Sequence, residues 1–384
     1  MYNQKKLYTI LLLIIVLLST VLLIQSCTDN RKITPTYEEN TVTQEPTVSP
    51  EPTPTPLPQV EVSLTADGKV VDPYRVYTSD SCIHDILSLC QQYPEIITAE
   101  HIGKSYMGKD MYVIKLGKGP TKVLMTASIH ARENVNTNYL LRQTEELAIA
   151  YTTEKTYEGY DIVQLLNNFT IYISPMNNPD GVDICNGLIS PADVSDVTEK
   201  TQVTWKANGR GVDLNRNFPF QWEEMKAEDV DHLIPSKMNY PGTEAASEPE
   251  TQNLMKLVQN NDFKFYLNFH TKGKIIYWQD PVNSDIPGDT KLVNILSDCL
   301  GFTVAGVTQN LQNYGGGFEN WFRFTTGNPG ICIEMTRGSG DGEIPYNHPL
   351  RSKYHDKEYD IYSEQVLDWD RSKALIPYVL ENYF

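Results

Sequence analysis

The chain has 384 residues and carries 49 acidic side chains against 32 lysines and arginines, which gives a formal net charge of -17. Nucleic acid is excluded as a partner, because its phosphates would be repelled by this excess of negative charge. Six cysteines are present, none of them in a C-x-x-C pair, so a metal site built from thiolates is not expected.

The N-terminus combines a basic start, Lys5-Lys6, with an apolar run over residues 7–24, which is the pattern of a secretory signal. The residues that follow, Ile24-Gln25-Ser26-Cys27, resemble a lipobox, where bacterial lipoprotein precursors are lipidated on cysteine and cleaved before it. We therefore predict a signal over residues 1–26 and lipidation of Cys27. The alternative is an uncleaved membrane helix, because 18 residues are close to the minimum that spans a bilayer. Both interpretations place the remaining chain outside the cytoplasmic membrane of a bacterium, anchored to it or secreted.

Residues 27–60 are rich in threonine, proline and glutamate, most densely in PTVSPEPTPTPLP. A segment of this composition cannot bury enough apolar surface to offset the entropy lost on ordering, so we predict an extended tether. Residues 61–384 remain for the folded part, and one α/β domain with a single large core can accommodate that length.

Short apolar runs alternate with longer amphipathic segments along this domain. The first run predicts a buried strand at 122–128, and a helix is predicted after it at 136–151. Three further strands are predicted at 169–173, 263–268 and 330–333. Strands that alternate with helices predict a single α/β domain, with one mostly parallel mixed sheet covered by helices on both faces.

Two local features of this domain carry expectations of their own. Ser247 is predicted to cap a helix, with Glu250 reaching back to it and Pro249 in the first turn, where proline is tolerated. Cys332 lies in an apolar run and is interpreted as a small buried residue.

Three candidate functional side chains directly follow apolar runs: His130 after the first run, His270 after FYLNF and Glu334 after GICI. In folds of this class, ligands bind beyond the carboxyl ends of the strands. We therefore expect these three residues near one another.

His130 and Glu133 form an H-x-x-E pair that a turn at a strand end can aim at one point, and His270 can complete a three-ligand set. Such a set suits Zn²⁺, and a fourth position left to water is typical of a catalytic site. Taken alone, H-x-x-E also occurs in solvated loops, and a histidine at a strand end is often a hydrogen-bonded structural residue. The other histidines are interpreted as structural or solvated: His84, His101, His232, His348 and His355.

A longer motif favours the metal site. The segment 210–218, RGVDLNRNF, closely resembles one in the zinc carboxypeptidase superfamily, the M14 metallopeptidases. Members carry H-x-x-E, then D-x-N-R, then a ligand histidine and a late catalytic glutamate, and all of these occur here in that order. Residues 175–181, PMNNPDG, also resemble the family's P-x-x-N-P-D-G turn. The resemblance extends from about Tyr74 to the C-terminus.

The resemblance implies a zinc peptidase with one Zn²⁺ per chain, bound by His130, Glu133 and His270. Glu334 matches the family's catalytic glutamate. Its implied role is to take a proton from the zinc-activated water and to deliver it to the leaving amine.

The D-x-N-R segment implies further roles. Arg216, with Asn215, would bind a substrate carboxylate through the planar two-point geometry of a guanidinium, and Asp213 would orient a ligand histidine. The family usually has an arginine upstream that stabilises the oxyanion. Here that place holds Lys206, with Arg210 nearby, and either could serve.

The family's mobile tyrosine is expected where this chain has Gln312, and the neighbouring Tyr314 could take its place through a shifted loop.

Segments 205–218, 240–251 and 270–278 most resemble the γ-D-glutamyl-diaminopimelate peptidases, which cut the peptide stems of bacterial cell wall. A peptidoglycan stem peptide would lie beside a protein held at the outer side of the membrane. Diaminopimelate presents both a carboxylate and an amine on its side chain. Arg216 supplies a cation for the first, and Glu319 could meet the second; the alternative for Glu319 is a solvated surface position.

Other activities stay open at this point. A carboxypeptidase could release C-terminal residues from ordinary peptides, Lys or Arg if Glu319 lines the pocket. A deacylase of small N-acyl amino acids can also share H-x-x-E and a later histidine. An inactive cell-wall-binding module would be expected to lack Glu334 or a ligand, and none of these is missing.

Overall fold

A computed structural model of the chain describes residues 56–153, 156–195, 197–229, 231–284, 286–337, 361–362 and 366–384. They belong to the compact unit Pro56–Phe384. The predicted signal at 1–26, the lipidation site Cys27 and nearly all of the predicted tether lie outside the described residues.

The described chain is already attached to the core just before residue 61. The backbone N–H of Val60 donates to Gln91 Oε1 at 2.8 Å, and Gln91 Nε2 donates back to Val60 O at 2.8 Å. None of the helices in the described ranges combines the length and the apolar character needed to cross a membrane.

An eight-stranded sheet forms the centre of the unit. Its strands, in chain order, are β1 (Ile97–Lys104), β2 (Asp110–Gly117), β3 (Thr121–Ala127), β4 (Phe169–Ser174), β5 (Phe263–His270), β6 (Ile275–Tyr277), β7 (Thr303–Val304) and β8 (Gly330–Glu334). The order across the sheet is β1-β2-β4-β3-β5-β8-β6-β7. The run β4-β3-β5-β8 is parallel, as is β6–β7, whereas β1–β2, β2–β4 and β6–β8 are antiparallel. The predicted α/β fold with a mixed sheet is confirmed.

The helices are, in chain order, α1 (Ser79–Gln92), α2 (Val135–Thr152), α3 (Ile162–Asn168), α4 (Pro179–Cys185), α5 (Glu199–Val203), α6 (Trp222–Glu228), α7 (Pro249–Gln259), α8 (Asp289–Leu300), α9 (Leu311–Tyr314), α10 (Phe318–Thr326), α11 (Trp369–Ser372) and α12 (Leu375–Tyr383). Two single turns of 3₁₀-helix lie near the candidate functional residues. They are Ala131–Glu133, which follows β3, and Leu214–Arg216, which follows a loop.

Helices cover the sheet on both faces, as the alternation of side chains along the central strands shows. Met125 of β3 belongs to the larger buried cluster, together with Leu140 of α2, whereas its neighbour Leu124 belongs to a second cluster. The second cluster contains Leu254 of α7 and Phe318 of α10. Because side chains in a strand point alternately to opposite faces, the two clusters lie on opposite sides of the sheet. The central strands are buried on both sides.

The predicted helix cap at Ser247 is wrong. The residue that precedes α7 is Glu248, because Pro249 occupies the first helical position. The Ser247 hydroxyl instead donates to Glu248 Oε1 at 2.6 Å. Glu250 is buried and accepts the backbone N–H of Tyr106 at 3.0 Å, so it does not reach back to Ser247.

Candidate active site

The carboxyl ends of β3, β5 and β8 meet at one edge of the sheet. His270 is the last residue of β5 and pairs in register with Glu334, the last residue of β8. His130 follows β3, and the 3₁₀ turn Ala131–Glu133 brings Glu133 next to it. The four candidate residues are therefore brought together by the parallel part of the sheet.

The Glu133 carboxylate lies between two imidazoles. Its Oε1 is 3.0 Å from His130 Nδ1 and its Oε2 is 3.0 Å from His270 Nδ1, while the two Nδ1 atoms are 3.2 Å apart. All three side chains are buried. Two imidazole nitrogens and one carboxylate oxygen converging on one point form a donor set that fits zinc and could hold it.

The outward-facing nitrogen of each imidazole meets a further carboxylate. His130 Nε2 is 3.3 Å from Asp213 Oδ1, and His270 Nε2 is 3.0 Å from Glu319 Oε1. Such contacts fix the orientation and tautomer of a ligand histidine. The structure thus places Asp213 against a ligand histidine, where the family resemblance implied it.

Asp213 is itself held by the local backbone. It caps the 3₁₀ turn Leu214–Arg216, where the Asn215 N–H donates to Asp213 Oδ1 at 3.2 Å. The N–H of Asn239 donates to Asp213 Oδ2 at 3.0 Å. The three side chains His130, Glu133 and His270 are called the metal group below. The D-x-N-R motif thereby joins the metal group to the residues predicted to bind substrate.

The charges of the two imidazoles and of the carboxylates beside them compensate one another. Burial raises the pKa of Glu133, but the charge of His130 and hydrogen bonds from both imidazoles hold this pKa well below the usual value. Burial lowers the pKa of His270, yet hydrogen bonds to Glu133 and Glu319 outweigh this effect and raise the pKa to about 10. Burial also raises the pKa of Glu319, while the hydrogen bond and charge of His270 lower it on balance. The carboxylates of Glu133 and Glu319 therefore favour a positive charge between them.

Glu334 faces the same group without a fixed partner. Its side chain is half-buried, but Oε2 is shielded from solvent and has no hydrogen-bond partner among the described residues. Burial, followed by the charge of Glu133, raises the pKa of Glu334 to about 8. A cation bound by Glu133 would offset that repulsion and so favour the ionised carboxylate, the form that a general base requires.

A cavity of about 280 Å³ opens beside the metal group. Its wall is mostly polar. Of the residues predicted to bind substrate, Lys206, Asn215, Arg216, Tyr314 and Glu319 line it. Sequence reasoning missed other lining residues, which come from the end of β6, from α9 and α10, and from loops: Tyr277, Trp278, Gln279, Thr308, Asn313 and Asn320.

Arg210 does not reach this cavity, so the structure does not support it as a substrate-binding residue. Its guanidinium pairs with the buried Glu248 and lies 5.4 Å from the ring centre of Tyr106. A buried carboxylate needs such a partner, which explains the position of the arginine. Of the two candidates for oxyanion stabilisation, Lys206 is the one at the cavity.

The structure shows the surroundings of Glu319, Cys332 and Tyr314. Glu319 is buried, so a solvated surface position is ruled out. Cys332 is half-buried and lines the cavity, so its interpretation as a small buried residue is wrong. Tyr314 lies in the cavity wall with 8% of its surface exposed, whereas the Gln312 amide donates to Met225 O at 2.8 Å.

Asn178 is a positioning residue that sequence reasoning did not single out. It caps α4 by accepting the Gly181 N–H at 2.9 Å. Its Nδ2 lies within 3.0–3.2 Å of three carbonyl oxygens, those of Ile129, Lys206 and Ala207. The P-x-x-N-P-D-G turn was the available signal: it connects the loop before His130 with the loop that carries Lys206.

Comparison with known proteins agrees with this geometry. Residues 83–299 match the zinc carboxypeptidase family, peptidase M14. The chain belongs to that family. It is a zinc metallopeptidase, and His130, Glu133 and His270 are the group that could hold its metal. Glu334 lies beyond the matched range, so its assignment depends on its place at the end of β8 and on its order in the motif series.

Among curated relatives, γ-D-glutamyl-L-diamino acid endopeptidase 1 of Lysinibacillus sphaericus is 28% identical over 287 residues, which cover 72% of this chain and 69% of the relative. Carboxypeptidase B of Astacus astacus is 28% identical over 250 residues, 61% of this chain and 77% of the relative. Bovine thrombin-activatable fibrinolysis inhibitor, solved with tick carboxypeptidase inhibitor, superposes with a TM-score of 0.56 at 18% identity over 81% of this chain and 98% of its own. That superposition shows the fold.

Proposed function

We propose that this zinc peptidase hydrolyses the amide bond between the γ-carboxyl of D-glutamate and diaminopimelate in cell-wall peptides. The observation that carries the proposal is the similarity to an endopeptidase named for γ-D-glutamyl-L-diamino acid bonds, which spans about seven-tenths of both chains. The polar cavity supports it, because a diaminopimelate side chain ends in an ammonium and a carboxylate. Arg216 and Lys206 offer positive charge at the cavity wall for that carboxylate.

The residues of the site suit this hydrolysis. Zinc bound by His130, Glu133 and His270 would supply Lewis-acid activation of a water molecule and of the scissile carbonyl. Glu334 takes one proton from the water as its oxygen adds to the carbonyl carbon. When the C–N bond breaks, Glu334 delivers that proton to the leaving amine.

Lys206 and the pair Asn215–Arg216 complete the substrate contacts that we propose. Lys206 places a positive charge at the cavity wall, where negative charge develops on the carbonyl oxygen during attack. Arg216 binds a carboxylate of the substrate, because its guanidinium presents parallel N–H donors. Tyr314 closes one side of the cavity.

We propose further that the enzyme works outside the cytoplasmic membrane. The basic and apolar N-terminus is read as a signal over 1–26, Cys27 as the lipidated residue and 27–60 as the tether of a catalytic domain at 61–384. Labelling cells with a radioactive fatty acid tests this arrangement. Label that persists in Cys27→Ala, or protein that stays cytoplasmic on fractionation, would contradict it.

The substrate is tested by giving the purified enzyme two peptides and weighing the products by mass spectrometry. One is a stem peptide containing γ-D-Glu-diaminopimelate, and the other an ordinary peptide that ends in lysine. We expect cleavage at the γ-D-Glu bond, and its absence in Glu334→Gln. Release of C-terminal lysine alone would instead assign the protein to the carboxypeptidase activity of relatives such as the Astacus astacus enzyme. Hydrolysis of N-acetyl amino acids alone would make it a deacylase.

A further inference from the structure

Glu319 lies between the metal group and the proposed substrate contacts. It is in the first turn of α10, with 5% of its surface exposed, and it also lines the cavity. Oε1 accepts hydrogen bonds from Asn268 Nδ2 at 2.7 Å and from His270 Nε2 at 3.0 Å. Oε2 lies 3.3 Å from Asn215 Nδ2.

These contacts have a direct consequence for the chemistry of His270. A neutral imidazole carries its proton on one nitrogen only. When a metal ion takes the place of the proton on Nδ1, a carboxylate beside Nε2 keeps the remaining proton on Nε2, and Nδ1, 3.0 Å from Glu133 Oε2, is the nitrogen left to bind the metal. Asn268, two residues earlier on the same strand face, fixes the carboxylate in this position, and its own Oδ1 accepts the Thr126 hydroxyl at 2.9 Å.

We propose that Glu319 is a positioning residue for the zinc site. One of its oxygens orients His270 through Nε2, and the other fixes the orientation of the Asn215 side-chain amide. It would therefore connect metal binding with the placement of the substrate carboxylate. This inference depends on the zinc peptidase activity of the chain and not on the choice of substrate.

The rival role for Glu319 is direct recognition of an amine on the substrate. A carboxylate has about four acceptor positions on its two oxygens, and side chains of the protein already use three of them. The one position left is on Oε2, which already accepts Asn215 Nδ2, so an incoming ammonium would have to share that oxygen with Asn215. The geometry favours the positioning role.

The contact between Glu319 and His270 has a counterpart at the other histidine of the metal group, and this counterpart supplies a positive control. Asp213 is placed against His130 as Glu319 is placed against His270. Asn320, the next residue on α10, provides the negative control. It also lines the cavity, but its amide donates to Asp280 Oδ2 at 2.6 Å and touches neither histidine.

The test compares zinc affinity in the wild type, Glu319→Gln, Asp213→Asn and Asn320→Ser, measured by competition with a chelator of known affinity. We expect Glu319→Gln and Asp213→Asn to bind zinc about 10–100-fold more weakly, and Asn320→Ser to bind it as the wild type does. The absorption spectrum of the cobalt-substituted protein should shift in Glu319→Gln, because the orientation of one ligand changes.

Kinetics at saturating zinc separate the two roles. Glu319→Gln should lower kcat more than it raises KM if the residue positions His270. Unchanged zinc affinity and cobalt spectrum, together with a raised KM only for substrates that carry a side-chain amine, would overturn the proposal. If circular dichroism shows that Glu319→Gln does not fold, Asn268→Ser replaces it. That variant keeps the carboxylate but removes a donor that fixes it, and zinc affinity equal to the wild type would then overturn the proposal.

Discussion

Lys206 stands on a segment that is hydrogen-bonded to the metal-binding turn. Its carbonyl oxygen accepts the N–H of Ala131 at 3.1 Å and lies 3.2 Å from Asn178 Nδ2. The base of this side chain is therefore fixed relative to His130, and the residue lines the cavity. The oxyanion role proposed for Lys206 depends on the charge of this side chain and on its length.

We predict that Lys206→Ala lowers kcat by about 100-fold or more, the usual loss when an oxyanion donor is removed. Lys206→Arg should retain most of the activity, because it keeps the positive charge. Steady-state kinetics measure both. Arg210→Ala is the matched control, since that arginine is paired with Glu248 away from the cavity, and its kcat should stay near the wild-type value. A larger loss in Arg210→Ala than in Lys206→Ala would contradict the assignment.

Individual site residues were predictable where a motif or a strand end marks them. His130, Glu133, His270 and Glu334 all follow apolar runs that became β3, β5 and β8. The contact between Glu319 and His270 was not predictable in this way, because it joins a helix to a strand 49 residues earlier in the chain. Only the packing of α10 on the sheet brings them together.

At the scale of elements, apolar runs predicted strands well where the strands are buried on both faces. The runs at 122–128, 169–173, 263–268 and 330–333 became β3, β4, β5 and β8. The short strands β6 and β7, at one end of the sheet, contain three and two residues, too few for a periodic pattern.

The start of α7 lies in a group of buried carboxylates. Burial raises the pKa of Glu250 to about 8, from a usual value of 4.5. Near neutral pH the folded protein therefore keeps a proton that the unfolded chain releases. The stabilising contribution of this group is complete below pH 4.5 and is lost as the pH rises towards 8.

We predict that Glu250→Gln becomes stabilising relative to the wild type as the pH rises, because an amide imitates the protonated acid and still accepts the Tyr106 N–H. The measurement is Tm of both proteins between pH 5 and pH 8.5, with the difference expected to grow across this range. Glu244→Gln is the matched control, because it makes the same substitution on the exposed loop before the helix, outside this buried group. A constant difference for Glu250→Gln would contradict the raised pKa.

Helix α4 approaches the loop that carries Lys206 closely enough to require glycine. A Cβ atom at Gly181 would lie 2.3 Å from the backbone oxygen of Ala207 and 2.5 Å from Asn178 Oδ1. We predict that Gly181→Ala destabilises the protein by about 1–3 kcal/mol, measured by chemical denaturation, because neither backbone segment can move freely. Gly306→Ala adds the same methyl group where no atom lies within 4 Å, and should change stability little.

At the scale of the whole molecule, the metal group joins two distant parts of the chain. His130 and Glu133 follow β3, and His270 ends β5, which is separated from β3 by more than a hundred residues. A metal ion held between them stabilises the folded state, because the unfolded chain cannot offer the three ligands together.

We predict that removal of zinc by a chelator lowers Tm and abolishes hydrolysis, and that added zinc restores both. At a free zinc concentration of about 100 times Kd the stabilisation should be roughly 2.7 kcal/mol. Differential scanning calorimetry with and without chelator measures it. His270→Ala should show a smaller response to zinc, and an equal response in that variant would mean that the ion binds elsewhere.

Asn178 also has a bearing on how the protein ages. Asparagine deamidates when the backbone nitrogen of the next residue attacks the side-chain amide. The next residue here is Pro179, which has no N–H, so this cyclisation cannot occur. Conversion to aspartate would place a negative oxygen against the carbonyls of Ile129, Lys206 and Ala207, where the amide now donates. The proline at the start of α4 thus protects from deamidation a side chain that holds together the two loops carrying His130 and Lys206.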